Sequence, residues 1–246
     1  MPDLKNEVLE LARDRLIVAL DVPTPNAALT LIDRLDGRCT WFKVGLELYI
    51  AAGPAIVEKL VSRGYSVFLD LKLHDIPNTV ASAVRAATTL GARMLTIHAA
   101  GGPAMLSAAR EAVDGMATAP QLLAVTVLTS MNQLQITATG VPRSPQDQVM
   151  LLAEMGLEAG INGFVCSPQE VGALRKLTGP GGVLVIPGIR PVGADLGDQQ
   201  RIATPAQALH EGASYLVVGR PITQSPDPAK AAAAILEEMS AGVCAD

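Results

Sequence analysis

Short runs of Val, Ile and Leu recur along the chain, and most are followed by a longer segment whose apolar positions repeat with helical spacing. Alternation of buried strands with amphipathic helices is typical of parallel sheets that are covered by helices. The pattern predicts strands at residues 16–21, 41–45, 67–72, 94–99, 122–128, 163–167, 183–188 and 215–220. It predicts helices at residues 25–35, 54–62, 79–90, 103–113, 144–158 and 205–211.

Repeating units of roughly 30 residues fill the 246-residue chain, which favours a closed, single-domain (β/α)8 TIM barrel over an open sheet. A doubly wound α/β fold is the structural alternative. Its glycine-rich fingerprint should follow the first strand, but residues 21–28 read DVPTPNAA instead. We expect residues 1–14 to form an N-terminal helical extension and residues 15–246 to form the catalytic barrel domain.

Composition narrows the class of protein further. Apolar residues make up 49% of the chain and charged residues 17%, which is typical of a folded globular protein. No apolar run reaches the ~18 residues of a membrane span, and the N-terminus lacks the pattern of a signal peptide. The net charge is −5 and no Lys/Arg cluster is present, which argues against nucleic-acid binding.

The three cysteines, Cys39, Cys166 and Cys244, form no CxxC pair. This usage favours the reducing cytoplasm. The three histidines do not stand at ligand spacing from the cysteines, so we also expect no structural metal ion.

Most of the predicted strands carry no charged residue before their last positions. Lys43 lies in the second strand, and Asp70 and Lys72 lie in the third, two residues apart and therefore on one face. Asp75 follows in the next loop, and leucines occupy the opposite face of the third strand. Because the carboxyl ends of barrel strands meet at one mouth, we expect these four side chains to cluster there.

Such a cluster could be a structural ion-pair network or a catalytic group, since structural networks also perturb ionisation. Four charges that alternate in sign favour catalysis. A lysine between carboxylates keeps its proton, so Lys72 suits proton donation to a carbanion better than Schiff-base chemistry. Asp70 would repel a ligand carboxylate by about 4 kcal/mol at ~4 Å. Loss of that carboxylate as carbon dioxide would relieve the repulsion.

The seventh and eighth predicted strands run into segments that hold a glycine and an arginine, Pro187–Arg190 and Gly219–Ile222. The loops after these two strands are the usual phosphate site of the TIM barrel, with glycine allowing backbone approach and arginine supplying a forked donor. Gln199 lies in the long loop between Arg190 and Arg201 and could reach over a ligand. The pattern therefore predicts a phosphorylated ligand.

Together these motifs resemble the orotidine 5'-monophosphate decarboxylase family in its bacterial form. The most specific motif is FLDLKLHDIPNT at residues 68–79. It is accompanied by ALD at 19–21, FKVG at 42–45, AVTVLTS at 124–130, PGIRP at 187–191, DQQR at 198–201 and VGRPIT at 218–223. The resemblance extends from Arg15 to about Pro228.

The resemblance implies a cofactor-free carboxy-lyase that converts orotidine monophosphate to uridine monophosphate and carbon dioxide. Asp70 would face the departing carboxylate, Lys72 would protonate carbon 6 of the pyrimidine, and Lys43 would join the charged network. Asp75 and Thr79 would reach into the neighbouring subunit's site, which makes a homodimer the functional unit.

The same resemblance assigns the substrate contacts. Asp21 and Lys43 would bind the sugar, and Thr129 and Ser130 would lie in the segment that contacts the base. The phosphate would be held by Arg190, Gln199, Gly219 and Arg220.

Two other functions stay open at this point. Related sugar-phosphate enzymes, the 3-keto-gulonate-phosphate decarboxylases and hexulose-phosphate synthases, bind magnesium, but they carry a carboxylate where this chain has Lys43. A barrel that only binds phosphorylated ligands is the non-enzymatic alternative. Such a binder would have no use for the Asp70, Lys72 and Asp75 set, which is costly to bury.

Overall fold

The computed structural model describes residues 2–191 and 201–243. Its parallel strands close into a barrel in which each strand pairs with the next along the chain and the last pairs with the first. The strands are β1 (Leu16–Ala19), β2 (Trp41–Val44), β3 (Ser66–Leu73), β4 (Met94–His98), β5 (Gln121–Val125), β6 (Gly163–Val165), β7 (Val183–Ile186) and β8 (Tyr215–Val218). The predicted TIM barrel is confirmed.

Helices cover the outside of the barrel. They are α1 (Pro2–Arg15), α2 (Pro25–Arg34), α3 (Leu46–Ala52), α4 (Ala55–Ser62), α5 (Pro77–Thr88), α6 (Pro103–Glu111), α7 (Gln133–Ala138), α8 (Pro145–Glu158), α9 (Val171–Thr178), α10 (Pro205–His210), α11 (Arg220–Thr223) and α12 (Pro228–Val243). Every helix that the periodicity predicts is present. The pattern missed α3, α7, α9 and α11, which span at most two turns or so, and the alanine-rich α12, in which apolar and polar positions contrast little.

Most strands end earlier than their apolar runs predict. The first run extends to residue 21, but β1 ends at Ala19, and the seventh run extends to residue 188, but β7 ends at Ile186. The chain leaves the sheet here and forms the rim of the barrel mouth. Asp21 therefore lies in the loop after β1 rather than within the strand.

Two apolar layers hold the barrel together. The outer layer lies between strands and helices and includes Phe42, Leu69 and Phe164. The inner layer fills the barrel and consists of Ile17, Ala19, Phe68, Met94, Leu123, Val185 and Val217, with partly buried side chains packed against them. Along β2 and β3 the next inward positions towards the mouth are Lys43 and Asp70, so charge begins where the apolar filling ends.

Helix α1 packs against the barrel. Ala12 is fully buried in the outer layer, and the Arg15 Nε donates a hydrogen bond of 3.0 Å to the carbonyl oxygen of Ser214. The division of the chain at residue 14 stays a prediction. Within residues 2–191 and 201–243, no helix has both the length and the apolar character that crossing a membrane requires.

Gly163 allows β6 to approach β5 closely. A Cβ at this position would lie 2.5 Å from the Leu122 carbonyl oxygen and 2.7 Å from the Leu123 Cδ2. We predict that Gly163→Ala lowers the free energy of unfolding by about 1–3 kcal/mol, the usual cost of overpacking. Denaturant unfolding would measure this loss.

Gly181→Ala is the matched control, because a Cβ at Gly181 would meet nothing within 4 Å. Its unfolding midpoint should stay at the wild-type value. Equal midpoints for both variants would contradict the close approach of β5 and β6.

Candidate active site

The carboxylate of Asp70 is the centre of a charged cluster at the barrel mouth. The Lys72 Nζ donates to both of its oxygens, at 2.7 and 2.8 Å, and the Lys43 Nζ lies 3.7 Å from Oδ2. The Thr96 hydroxyl donates to Oδ1 at 3.0 Å. Asp70 is only 8% exposed, so one buried carboxylate faces two ammonium groups.

An irregularity of β3 places Lys72 in this cluster. Leu69 pairs with Leu95 of β4 and Leu73 pairs with Ile97, so four steps along β3 oppose two steps along β4. Lys72 has a φ of +51°, in the left-handed region that L-residues rarely adopt, and its N–H donates to the Thr96 hydroxyl at 2.8 Å. Asp70 and Lys72 do point the same way as predicted, but a bulge accompanies their placement rather than simple strand alternation.

Lys43 connects this cluster to the loop after β1. Its Nζ donates to the Asp21 Oδ1 at 2.8 Å. Gly45 leaves room for this contact, because a Cβ there would lie 2.8 Å from the Lys43 Nζ and 3.1 Å from the Asp21 Oδ1. The FKVG motif thus supplies both the ammonium group and the space that it needs.

Burial and charge act in opposite directions on Asp70. Burial by itself would raise the pKa of the Asp70 carboxyl. The positive charges of Lys43 and Lys72, together with the hydrogen bonds from Lys72 and Thr96, outweigh burial and hold that pKa below its ordinary value. Asp70 is therefore a carboxylate at neutral pH.

Asp70 and Lys72 line a cavity of about 190 Å³, which we call the Asp70 cavity. Its walls come from the carboxyl ends of the strands and the loops that follow them. They are formed by Lys43, Phe68, Asp70, Lys72, Val125, Val127, Leu128, Thr129, Val165, Cys166, Pro187 and Val217. Burial, and then the nearby Glu170, raise the pKa of the Cys166 thiol, so this wall residue is no thiolate nucleophile at neutral pH.

A second cavity of about 480 Å³, the arginine cavity, adjoins the first. Both cavities share Lys43, Pro187 and Val217. The arginine cavity is further lined by Ala19, Asp21, Val22, Gly188, Arg190, Gly219, Arg220, Thr223 and Gln224. A ligand that spans both cavities would have an anionic group beside two guanidinium groups at one end and the Asp70–Lys72 pair at the other.

Comparisons with known proteins agree with this geometry. Residues 14–235 match the model of the Orotidine 5'-phosphate decarboxylase / HUMPS family. Orotidine 5'-phosphate decarboxylase of Moorella thermoacetica is 53% identical over 234 residues, covering 93% of each chain. The same enzyme of Nitrosococcus oceani is 51% identical and covers 94% of this chain and 99% of its own.

The chain belongs to this family.

Membership of the Orotidine 5'-phosphate decarboxylase / HUMPS family confirms the resemblance drawn from the motifs and, with it, the prediction of a decarboxylase. A solved structure supports the fold as well. The crystal structure of orotidine 5'-phosphate decarboxylase from Lactobacillus acidophilus superimposes with a TM-score of 0.80 at 38% identity. That alignment covers 91% of this chain and 98% of the other.

Most of the predicted site residues line the two cavities of this family member. Lys43, Asp70, Lys72 and Thr129 line the Asp70 cavity. Those that line the arginine cavity are Asp21, Lys43, Arg190, Gly219 and Arg220. Ser130 is exposed and belongs to neither wall, and Gln199 lies outside the described residues.

Asp75 and Thr79 are exposed and line neither cavity. The Asp75 carboxylate accepts a hydrogen bond of 2.6 Å from the N–H of Ile76. The predicted group of four charges therefore differs in one member, because Asp21 joins Lys43, Asp70 and Lys72 where Asp75 was expected. The reason is that Asp75 lies two residues beyond the end of β3, in the loop.

Sequence reasoning missed three polar residues that are buried behind or within the site. Thr96 occupies an inward position of β4, and a polar residue at such a position could have indicated that it belongs to the site. Arg201 and Glu170 form a buried ion pair behind the wall of the Asp70 cavity. They stand 31 residues apart in different loops, and the sequence gives no sign that they meet.

A larger cavity of about 580 Å³ lies at the opposite end of the barrel, where the strands begin. Its polar lining includes Arg93, Arg110, Gln121 and Asn162, and no carboxylate is among its walls. Size therefore does not identify the reaction site. The paired ammonium group of Lys72 and carboxylate of Asp70 lie in the smaller cavity at the mouth, where barrel enzymes perform their chemistry.

The charges around Asp70 make its contribution to stability depend on pH. A carboxyl whose pKa is lowered by folding stabilises the protein above its unfolded pKa of about 3.9, and this stabilisation is lost as pH falls through the lower folded pKa. We predict that Asp70→Asn lowers the free energy of unfolding at pH 7 by about 2–3 kcal/mol. This is less than the ~3–5 kcal/mol of a fully buried pair because Lys72 is partly exposed. The difference from wild type should shrink below about pH 4.

Denaturant unfolding of both proteins between pH 3 and pH 7 would measure this dependence. Asp33→Asn removes the partner of Arg63 in an exposed ion pair and serves as the control, with little change expected at any of these pH values. A destabilisation by Asp70→Asn that is the same at pH 3 and pH 7 would contradict the account.

Proposed function

We propose that this chain converts orotidine 5'-monophosphate to uridine 5'-monophosphate and carbon dioxide, a step of pyrimidine nucleotide synthesis. The names of its relatives support this substrate. The structural observation that carries the proposal is the Asp70–Lys72 pair, which lines a cavity that adjoins a second cavity with two arginines. The two cavities together fall within the ~300–1,000 Å³ of small-ligand sites.

The phosphate binds in the arginine cavity. Arg190 and Arg220 supply guanidinium donors there, which suit the geometry of a phosphate group, and Gly219 contributes to the same wall. We propose that Gln199 adds a further contact, as the family resemblance implies. Binding energy from this remote group can also serve the chemical step by orienting the substrate, so its loss should lower turnover as well as affinity.

The ribose lies where the two cavities meet. Lys43 lines both of them and is joined to Asp21 by a hydrogen bond of 2.8 Å. An ammonium donor and a carboxylate acceptor side by side suit the donor and acceptor character of sugar hydroxyls. This position separates the phosphate from the pyrimidine by the length of the sugar.

The pyrimidine enters the Asp70 cavity, with its carboxylate facing Asp70 and carbon 6 near the Lys72 Nζ. Thr129 lines this cavity, and we propose that it contacts the base together with Ser130. The bond between carbon 6 and the carboxylate carbon breaks, and its electron pair stays on carbon 6 while carbon dioxide departs. Lys72 then transfers a proton from Nζ to carbon 6, and the neutral amine regains a proton from water.

Asp70 contributes to this step through its charge. Its lowered pKa keeps it ionised, so a substrate carboxylate at ~4 Å would meet a repulsion of about 4 kcal/mol. Departure of neutral carbon dioxide removes that repulsion. The same carboxylate holds Lys72 in place through both of its oxygens and stabilises the protonated donor.

The proposed reaction is redox-neutral and needs only a proton donor and a polar cavity, so we propose that it uses no cofactor. The related sugar-phosphate enzymes would place magnesium where a carboxylate replaces Lys43. In this chain the Lys43 ammonium occupies that place, 2.8 Å from Asp21 and 3.7 Å from Asp70. Repulsion between this ammonium and a divalent cation favours the nucleotide reaction over the magnesium-dependent ones.

A barrel that only binds phosphorylated ligands would need the arginine cavity but not the Asp70 cavity. Burying a carboxylate and an ammonium group costs desolvation energy that an apolar pair of similar volume would avoid. The buried Asp70 and its pairing with Lys72 therefore favour catalysis over simple binding.

We further propose that the functional unit is a homodimer in which Asp75 and Thr79 reach the partner's site. Large apolar side chains are exposed in the segments that follow the adjacent strands β2 and β3. Ile76, next to Asp75, is 66% exposed, and Leu46 and Ile50 of α3, which follows β2, are 51% and 80% exposed. An apolar surface beside the mouth would be covered by a second copy of the chain.

A cytoplasmic location is part of the proposal as well. Cys39 and Cys166 are free, buried thiols among the described residues, which fits a reducing compartment.

We predict that the purified protein converts orotidine 5'-monophosphate in the presence of EDTA, measured as the loss of substrate absorbance. Lys72→Ala should lower kcat by at least about 100-fold, because general acid catalysis commonly contributes 10²–10⁴-fold. It should still bind the nucleotide product.

Lys59→Ala replaces an exposed lysine on α4; it is the matched control and should retain wild-type kcat. A wild-type protein without turnover would refute the proposed function, and a Lys72→Ala variant near wild-type speed would remove Lys72 as the donor.

We also predict that two inactive variants restore activity when their subunits exchange. A hybrid of Lys72→Ala and Asp75→Asn chains holds one site with both residues intact and one with neither. Random mixing at equal amounts should therefore recover about a quarter of wild-type activity, since half of the dimers are hybrids and each has one intact site of two. No recovery, although mass spectrometry detects hybrid dimers, would contradict the shared site.

A further inference from the structure

A buried ion pair lies behind the Asp70 cavity and takes no part in the chemistry described above. The Arg201 guanidinium contacts the Glu170 carboxylate, and the side chains are only 8% and 3% exposed. Glu170 follows β6, and Arg201 lies two residues before Ala203, which pairs with Ile189 in an isolated bridge beyond β7. The pair thus links two loops at the barrel mouth.

Glu170 is held firmly on its own loop. Its Oε2 accepts hydrogen bonds from the Ser167 hydroxyl and, at 3.0 Å, from the Ser167 N–H. Ser167 is fully buried and caps the short 3-10 turn Pro168–Glu170. Since Cys166, the residue before this cap, lines the Asp70 cavity, Glu170 is anchored directly behind that wall.

Arg201 reaches from this anchor to the loop after β5. Its Nη2 donates to the Leu128 carbonyl oxygen at 3.0 Å and lies 3.5 Å from that of Val127. Val127, Leu128 and the following Thr129 all line the Asp70 cavity. One guanidinium group therefore connects the walls that follow β5 and β6.

Stability alone does not account for this arrangement. A buried ion pair gains little over apolar side chains of similar volume, and the Arg201 Nε is buried without a hydrogen-bond partner among the described residues. The pair instead fixes the relative orientation of two loops, because a guanidinium group binds a carboxylate and a carbonyl oxygen at defined angles.

We propose that Arg201, oriented by Glu170, is a positioning residue that fixes the Val127–Thr129 wall of the Asp70 cavity and so aligns the pyrimidine with Lys72. This inference rests on the proposed function. Arg201 lines neither cavity, and the two wall residues that its guanidinium contacts, Val127 and Leu128, belong to the Asp70 cavity and not to the arginine cavity. Its loss should therefore act on the chemical step and leave phosphate binding intact, since a misplacement of about 1 Å can cost ~100-fold in rate.

The test measures kcat for orotidine 5'-monophosphate and the inhibition constant of ribose 5-phosphate, which lacks the pyrimidine and so reports on the phosphate and sugar contacts without the base. Arg201→Lys keeps the positive charge but loses the forked donor geometry of the guanidinium group. Glu170→Gln keeps the size of the side chain but loses its negative charge. We expect each to lower kcat by about 10–100-fold while the inhibition constant stays within about twofold of wild type. Glu170→Asp, which keeps the charge on a shorter side chain, should retain more of kcat than Glu170→Gln.

Arg175→Lys is the matched control. The Arg175 guanidinium also binds backbone carbonyl oxygens, those of Gly179, Gly182 and Gly212, but it does so at the end of the barrel where β7 and β8 begin. This variant should lower the unfolding temperature without changing kcat. It distinguishes the general effect of losing an arginine that binds backbone carbonyl oxygens from the specific effect of losing Arg201 behind the Asp70 cavity.

Folded Arg201→Lys and Glu170→Gln variants with wild-type kcat would overturn the inference. So would a parallel change of kcat and of the inhibition constant, which indicates a general structural defect. If neither variant folds, Ser167→Ala provides the test, because it removes one hydrogen bond to Glu170. It should lower kcat a few-fold and leave the inhibition constant unchanged. An unchanged kcat would overturn the inference. A wild-type protein without decarboxylase activity would instead refute the proposed function.

Discussion

The position of one carboxylate between two ammonium groups determines how the barrel mouth is built. Asp70 is nearly buried, and an unpaired charge at that depth would be costly, so its ionised form depends on Lys72 at 2.7 Å and on Lys43 at 3.7 Å. The two lysines in turn depend on Asp70, because without it their positive charges would face each other. This mutual dependence holds the carboxyl ends of β2 and β3 together and keeps the Lys72 ammonium group beside a fixed negative charge.

The backbone departs from regular geometry at the same place. Lys72 adopts a left-handed conformation within β3, a state that costs an L-residue roughly 1–3 kcal/mol, and the register with β4 shifts around it. Thr96 compensates in part, because its hydroxyl accepts from the Lys72 N–H and donates to Asp70. An irregular strand is maintained here because the charges and the hydroxyl together fix it, and it brings the Lys72 ammonium to the cavity.

The fold followed from the sequence because alternation of apolar strands and amphipathic helices is repeated around the whole barrel, so single errors at strand ends did not change the architecture. The pairing of Asp70 with Lys72 followed from their spacing and from their place late in a strand. Asp21 was assigned to the sugar but not to the charged cluster, because spacing cannot show how far Lys43 reaches. Strand alternation likewise does not predict the bulge of β3. Nor does it predict the Arg201–Glu170 pair, whose members come together only when the barrel closes.

In the proposed complex a nucleotide spans the two cavities, with its phosphate beside the arginines and its pyrimidine beside Lys72. A crystal structure with uridine 5'-monophosphate bound tests it most directly. We expect the phosphate in contact with Arg190 and Arg220, the ribose beside Asp21 and Lys43, and carbon 6 facing the Lys72 Nζ. A nucleotide bound in the reverse orientation, or in the cavity at the opposite end of the barrel, would contradict it.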